Sequence, residues 1–308
     1  MEKSMVIVNP VSANGRTGRN WPRIAEELKN AGVEFDVQIT SRSREAVQLT
    51  RKALQEGYLT VIAVGGDGTL NEVLNGFFES DNAHPINSEA RLGLIPSGTG
   101  RDFIKTINYS KDLRHACRTL ARNQTRTIDI GQVWYRDAEG RQTFSYYINI
   151  AGMGMDGETV DRVNRTTKIF GGKISFLWGT IATLVQYRNR ELTLEIDGAV
   201  RYHGEATVVA VANGQYFGGG MRIAPEASLD SGHFDIVVVD GMTKPEILAN
   251  LYRIYQGTHL SYPKVHLMRG KHVRATSLQR VLLNVDGEQP GVLDAEFQLL
   301  PQKLQLIY

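Results

Sequence analysis

Cysteine is nearly absent: Cys117 is the only one among 308 residues. A single thiol excludes an internal disulfide and points to a reducing compartment. Lying in a stretch of helical spacing, it reads as a small packed side chain rather than a nucleophile. An excess of one charge is lacking too. With 35 Lys and Arg against 33 Asp and Glu, the net charge of +2 gives no basis for expecting a nucleic-acid partner. The longest apolar stretch, Ile174 to Tyr187, is too short to span a bilayer. The amino terminus enters a strand without a basic-then-apolar signal, so a cytoplasmic location is expected. The seven histidines show no metal-ligand spacing, and no Ser-His-Asp hydrolase pattern stands out.

What is present is a folded composition, 42% hydrophobic and 22% charged, long enough for two domains with their own cores. The chain is organised around Val61 to Asn75. Thr60 to Val64 is a short apolar, β-branched run that reads as a strand buried on both faces. Leu70, Val73, Leu74 and Phe77 then recur at helical spacing, which predicts a helix from near Thr69. Gly65-Gly66-Asp67-Gly68 lies between them, a turn in which glycine permits φ > 0 and close approach of backbone N–H groups. A helix N-terminus behind such a turn suits a phosphate. The loop lacks the Lys-Ser/Thr of a P-loop, and Asn71 stands where a dinucleotide fingerprint starting at Gly66 needs glycine. Asp67 would repel a triphosphate unless a divalent ion or a donor lay between them.

The rest of the first half alternates in the same way. Strands are predicted at Ser4 to Val8, Glu34 to Ile39 and Leu92 to Ile95. Helices are predicted at Trp21 to Ala31, at Arg44 to Glu56 with Thr40-Ser41 as N-cap, and at Asp112 to Arg122. This order argues for a parallel sheet with helices on both faces, whose ligands bind at the carboxyl ends of the strands. The loops at that edge are rich in small polar residues and glycine: Asn9-Pro10-Val11-Ser12-Ala13, Thr40-Ser41, Gly65 to Thr69, and Ser97-Gly98-Thr99-Gly100.

Gly65-Gly66-Asp67-Gly68-Thr69 resembles the signature of the diacylglycerol kinase catalytic domain superfamily, which includes lipid kinases and, more distantly, NAD kinases. The resemblance implies a Rossmann-like α/β nucleotide-binding domain, placed at 1–125, and an antiparallel β-sandwich lipid-binding domain at 126–308 whose last strands cross back. It implies ATP as phosphate donor, contacted by Asn9, Pro10, Val11, Ser12, Ala13, Thr40, Gly65, Gly66, Asp67, Gly68, Thr69, Leu70, Asn71 and Thr99. Mg²⁺ would ride on the ATP phosphates near Asp67. Gly98-Thr99-Gly100-Arg101-Asp102-Phe103 is similar to the family's Gly-Thr-Gly-Asn-Asp-Phe, with Arg101 in place of the asparagine.

The second half reads as many short strands separated by turn signals. Arg126 to Tyr135 and Thr143 to Ile150 form a predicted hairpin around Asp137 to Gly140. Alternation from Leu192 to Ile196 marks another strand. More are predicted at Ala206 to Ala212, Phe234 to Asp240, His272 to Thr276, Arg280 to Val285, Ala295 to Leu299 and Lys303 to Ile307. Gly152-Met153-Gly154-Met155-Asp156-Gly157 satisfies G-x-G-x-x-G but lacks a βαβ context, so a dinucleotide site is not expected there. Ile174 to Tyr187, between basic flanks, either touches an anionic membrane surface or packs on the sandwich. A helix from Thr243, with a capping box to Glu246 and a stop at Gly257, is read as core.

By resemblance, Gly218 to Gly232 is similar to a segment that holds a structural magnesium in some lipid kinases. Ser231 stands where an aspartate is usual, with Asp230 beside it, so that site is weakened or absent. Asp286-Gly287-Glu288 is an ordinary hairpin turn as bare sequence. It resembles the family's second signature, which makes Glu288, with Asp286, the base that activates the acceptor hydroxyl. The expected enzyme is an ATP-dependent kinase of diacylglycerol or a related lipid alcohol, in peripheral contact with a membrane, with homodimerisation left open. The alternatives are an NAD kinase-like enzyme, whose Gly-Ser-Thr-Ala-Tyr segment is missing here, and a nucleotide-binding regulator without catalysis.

Overall fold

Residues 3–79, 83–98, 101–166, 183 and 186–308 are described by the structure, a computed structural model. The chain forms two compact units, Met1–Asp129 with Pro301–Tyr308, and Ile130–Leu300. The division falls after Asp129 rather than after residue 125.

The first unit runs β1 (Ser4–Val8), α1 (Arg16–Asn30), β2 (Phe35–Ile39), α2 (Glu45–Gln55), β3 (Thr60–Gly65), α3 (Asp67–Gly76), β4 (Arg91–Pro96), α4 (Asp102–Thr106) and α5 (Leu113–Arg122). β4, β3, β1 and β2 pair side by side, all parallel. Val6, Val8, Ile62, Val64 and Ile95 pack on Ile24 and Leu28 of α1 and on Cys117 and Leu120 of α5. Burial raises the Cys117 thiol to about 11, which makes it the packed small residue expected. α2 and α3 lie against β3 and against each other, where a Cβ on Gly76 would overlap Thr50. β1 and β3 are buried throughout, and each buried Val or Ile contributes roughly 1.5–3 kcal/mol.

Two helix starts differ from expectation. α1 begins at Arg16 rather than near Trp21, because Gly15 takes φ 77 and the Pro10 carbonyl accepts the Gly18 N–H at 3.0 Å. α2 is not capped by Thr40-Ser41. Arg44 occupies the cap position at φ 63, and Glu72 reaches over from α3 to accept from Arg44 N (3.0 Å) and Ala46 N (3.3 Å). α5 carries a side-chain cap that was not foreseen: Asp112 accepts from His115 N at 2.8 Å, which contributes about 1 kcal/mol.

The chain continues through β5 (Thr125–Arg136), β6 (Gln142–Tyr147), β7 (Ile150–Gly154), α6 (Met155–Thr166), β8 (Arg190–Ile196), β9 (Ala199–Ala212), β10 (Phe234–Asp240), α7 (Lys244–Gln256), β11 (Val265–Gly270), β12 (His272–Thr276), β13 (Leu283–Val285) and β14 (Val292–Ile307). Pairing within the second unit is antiparallel, with the long β9 bonded to β7, β8 and β10. One core gathers Tyr147, Met153, Leu194, Val209, Phe234 and Phe297. A second core lies on the other side of β9 and β10, under α7. The last residues of β14 return to the first unit, where Gln305 and Leu306 pair parallel with β4.

Several predicted boundaries move. The run Thr143 to Ile150 splits into β6 and β7, β9 extends back to Ala199, and the last two predicted strands join as β14. β11 was not foreseen, although Val265 and His266 begin the inward-outward alternation of a strand. The G-x-G-x-x-G segment joins β7 to α6, but β7 is antiparallel to both β9 and β13, so no dinucleotide unit exists there. α7 has its capping box and its Gly257 stop, yet it is not core: Leu248, Tyr252 and Tyr255 are 54%, 55% and 41% exposed. Ile247, Leu251 and Ile254 pack inward on the core, whereas Leu248, Tyr252 and Tyr255 lie on a second apolar side that stays exposed. The segment Ile174 to Tyr187 lies almost wholly outside the described residues. Among the described residues, no helix is long and apolar enough to cross a membrane.

Candidate active site

The glycine loop closes β3 and opens α3, which begins at Asp67 rather than near Thr69. Its glycines are not there for positive φ. Gly65, Gly66 and Gly68 all have ordinary backbone angles, with Gly66 extended at φ −100. They are needed for space. A Cβ on Gly65 would overlap the Thr69 side chain, and one on Gly98 would overlap Gly66 Cα. The loop after β3 and the loop after β4 therefore touch backbone to backbone. Ser97 N and Gly98 N both donate to the Gly65 carbonyl, at 2.8 and 2.9 Å. The first-turn N–H groups of α3 have no partner within the helix, which suits an anion at this corner.

Side chains tie in the loop after β1. Asn9 donates from Nδ2 to Thr69 Oγ1 at 3.0 Å, and Asn9 Oδ1 accepts from Val11 N at 3.2 Å. Ser12 Oγ donates to the Asn9 carbonyl and also meets Thr17 Oγ1, which donates to Ser97 Oγ at 2.7 Å. Neither Thr17 nor Ser97 had been singled out as a site residue, and only their hydroxyls hinted at this role. The loops after β1, β3 and β4 thus form one hydrogen-bonded corner. Pro10, Ala13, Gly68 and Asn71 lie on it half-exposed, and Val11 is exposed. Leu70 is buried, so its side chain packs inward. Thr40 is buried too, and both its amide and its hydroxyl bond the Val8 carbonyl. Thr99 lies outside the described residues.

Asp67 has a second task. Its carboxylate accepts from Asp102 N (3.2 Å) and Phe103 N (3.4 Å), capping the short α4. Arg101 stands just before α4 at φ 57, a left-handed conformation that asparagine adopts more readily than arginine. Its Nε donates to the Gly98 carbonyl at 2.9 Å, which pins the loop after β4.

In the second unit, Asp286 and Gly287 are the two central residues of a hairpin turn, with φ 49 and 92. Val285 and Glu288 exchange backbone hydrogen bonds of 2.8 and 3.0 Å across it, the pattern of a type I′ turn. The Asp286 carboxylate is buried and accepts three backbone N–H groups, from Ile148 (2.9 Å), Asn149 (3.1 Å) and Ile150 (3.0 Å). Those amides are taken from the ladder, which is why β6 and β7 are separate strands. Glu288, one residue past the turn, is exposed. Asn284 was overlooked, although it lies two residues before the signature. It accepts from Gly287 N at 2.8 Å and donates to Asp156 Oδ2 at 2.7 Å.

The doubtful magnesium segment does not fit a cation. Asp230 is exposed and accepts from Ser228 Oγ, while the Ser231 hydroxyl donates to the His233 carbonyl. No cluster of three His, Cys, Asp or Glu side chains lies together among the described residues. A different feature stands out in this unit. Under α7 lies a cavity of about 90 Å³ with an almost wholly apolar wall, including Met155, Phe217, Met221, Ile247 and Leu251. The Asp156 carboxyl is part of that wall, and burial raises it to about 7.

Residues 3–133 match the diacylglycerol kinase catalytic domain, and residues 149–308 match the YegS C-terminal NAD kinase beta sandwich-like domain. The diacylglycerol kinase of Staphylococcus carnosus is 30% identical over 305 residues, spanning 99% of this chain and 94% of that protein. The crystal structure of a diacylglycerol kinase from Bacillus anthracis superposes with a TM-score of 0.72 at 20% identity, covering 100% of this chain and 97% of that one. Yeast NADH kinase shares the fold more distantly, with a TM-score of 0.55 at 12% identity over 99% of this chain and 82% of that one. A nucleotide-binding α/β unit joined to a β-sandwich is thus the architecture shared by these kinases. The chain belongs to the diacylglycerol kinase family. Membership makes it a kinase, and kinases of this family use ATP.

Proposed function

We propose that this protein transfers the γ-phosphoryl group of ATP to the hydroxyl of diacylglycerol or a closely related lipid alcohol. The observation that carries a lipid acceptor over a dinucleotide is the cavity under α7, whose mainly apolar wall suits a hydrocarbon chain and, among the described residues, holds no Lys or Arg to meet a charged pyrophosphate. Among the described residues, the strand before the G-x-G-x-x-G segment pairs only antiparallel, which is not the parallel βαβ setting of a dinucleotide site. An acceptor of this kind resides in a bilayer, so the enzyme works in peripheral contact with a membrane surface.

In this reading the triphosphate lies at the hydrogen-bonded corner formed by the loops after β1, β3 and β4. Backbone N–H groups at the start of α3 meet its oxygens, and the Gly66–Gly98 contact holds that corner rigid. Asp67 offers hard carboxylate oxygens at the same place, so it would hold the Mg²⁺ that travels with ATP. That ion supplies neutralisation of the phosphate charge. Glu288 takes the proton of the acceptor hydroxyl as its oxygen attacks the γ-phosphorus and ADP departs. Asp286, with three amide donors on its carboxylate, orients the turn that carries Glu288 and does not itself accept the proton.

The test is transfer from labelled ATP to a panel of acceptors in mixed micelles: diacylglycerol, ceramide, sphingosine and soluble NAD. Label in phosphatidic acid is the expected result. Label in NADP with none in lipid would overturn the reading.

A further inference from the structure

Asp156 is 4% exposed and Asn284 is 3% exposed, so their hydrogen bond is sealed from solvent. Its polarity is fixed by a third group. Gly287 N–H donates to Asn284 Oδ1 at 2.8 Å, which orients the amide so that Nδ2 points at Asp156 Oδ2, 2.7 Å away. Asp156 must therefore accept. It has little freedom to do otherwise, because Gly152 leaves room for this carboxyl only by lacking a Cβ. A continuous path thus runs from the cavity wall through Asn284 to the amide between Asp286 and Glu288.

We propose that Asp156 is a positioning residue: through Asn284 it holds the Gly287 amide, so that the charge on a carboxyl in the cavity wall sets how firmly the Asp286–Gly287–Glu288 turn is held. A carboxylate accepts a hydrogen bond about twice as strongly as a neutral acid. The bond it strengthens polarises the Asn284 amide, which then draws harder on the Gly287 N–H. The turn carries the base, so a firmer turn means a better placed Glu288. In this last step the inference rests on the phosphoryl-transfer reading. The path itself does not.

The range in which this charge changes follows from burial, which raises the Asp156 carboxyl to about 7. Among the described residues, the other polar groups on the cavity wall are Thr159 of α6, Thr207 of β9, Asn250 of α7 and His259 beyond it. Only His259 titrates, and burial holds its imidazole below its ordinary value. Among the described residues, no Lys, Arg or second carboxylate shares the wall. The sign for stability follows. The native carboxyl keeps its proton up to about pH 7, whereas the unfolded chain loses it near about pH 4. Stability from this group is therefore full below the lower value, declines as pH rises between the two, and is level above.

The experiment uses the full chain, unaltered and as Asp156→Asn and Asn284→Ala. The first readout is the ¹H–¹⁵N shift of the Gly287 amide against pH. The second is kcat for diacylglycerol phosphorylation on either side of pH 7. The third is the pH dependence of the melting temperature. In the unaltered protein the Gly287 amide titrates near pH 7, and kcat rises through the same inflection while the KM for ATP stays flat. Asp156→Asn removes both inflections and leaves kcat at the low-pH plateau, about 3- to 10-fold down. Asn284→Ala also removes the kcat inflection, yet keeps the decline of melting temperature with pH, because the acid still titrates. A Gly287 amide indifferent to pH, or a kcat profile unchanged in Asp156→Asn, overturns the proposal. If Gly287 titrates as described but diacylglycerol is never phosphorylated, the path stands and the acceptor reading fails.

Discussion

Two glycine turns lie in the two units, and they use glycine for opposite reasons. In the loop after β3, the backbone angles are ones any residue could adopt, but a Cβ on Gly98 would overlap Gly66 Cα, and one on Gly66 would crowd Gly98 Cα at 3.2 Å. At Asp286-Gly287 the space is open, with nothing within 4 Å of a Cβ on Gly287, but φ is +92. The first glycines permit an approach and the second permits a conformation. A signature made of the same letters can therefore tolerate different substitutions, and the difference can be measured.

The largest effect is expected at Glu288. Glu288→Gln should lower kcat by about 10²–10⁴-fold with the Kd for ATP nearly unchanged, since a general base contacts the acceptor. A fully active variant would remove Glu288 from the chemistry. Next is Asp67→Asn, for which a loss of about 10²–10³-fold in kcat is expected, typical of removing one charge-stabilising group. Its melting temperature should fall modestly, because the amide oxygen keeps only one of the two N–H groups that the carboxylate accepts at the start of α4. An unchanged kcat would reduce Asp67 to a capping residue.

Gly98→Ala should cost about 2–4 kcal/mol in urea unfolding, because the added carbon meets backbone rather than a yielding side chain. Gly287→Ala should cost about 1–2 kcal/mol, and Gly287→Asn distinctly less, because asparagine accepts the left-handed region. If the order of Gly98→Ala and Gly287→Ala were reversed, the contrast between approach and conformation would fail.

Much of the candidate site was legible because its signals are local. A strand, a glycine or asparagine turn and a helix follow one another within a few residues at Asn9, Gly65 and Ser97, and the parallel sheet brings those turns to one edge. The reasons behind them were not legible. Gly66 meets Gly98 across 32 residues, Glu72 caps a helix other than its own, and Asp286 reaches back to Ile148, Asn149 and Ile150. Periodicity carries no information about such partners. The run Thr143 to Ile150 looked continuous because what interrupts it lies more than 130 positions away. α7 misled in another way. Ile247, Leu248, Leu251, Ile254 and Tyr255 read as one core-facing side, whereas only Ile247, Leu251 and Ile254 of these pack on the core and Leu248 and Tyr255 are exposed.

That one-sided helix has a kinetic consequence. None of its residues is fully buried, so lifting α7 breaks few contacts compared with parting β10 from the second half of β9, where both strands are mostly buried. Such a segment opens at a free energy well below that of global unfolding. In hydrogen–deuterium exchange, the amides of residues 247–254 should therefore fill with deuterium long before those of residues 207–212. A molecule lodged in the cavity underneath would slow the exchange of α7 alone. The exchange clock of this one helix would thereby report occupancy of the cavity without any chemistry taking place.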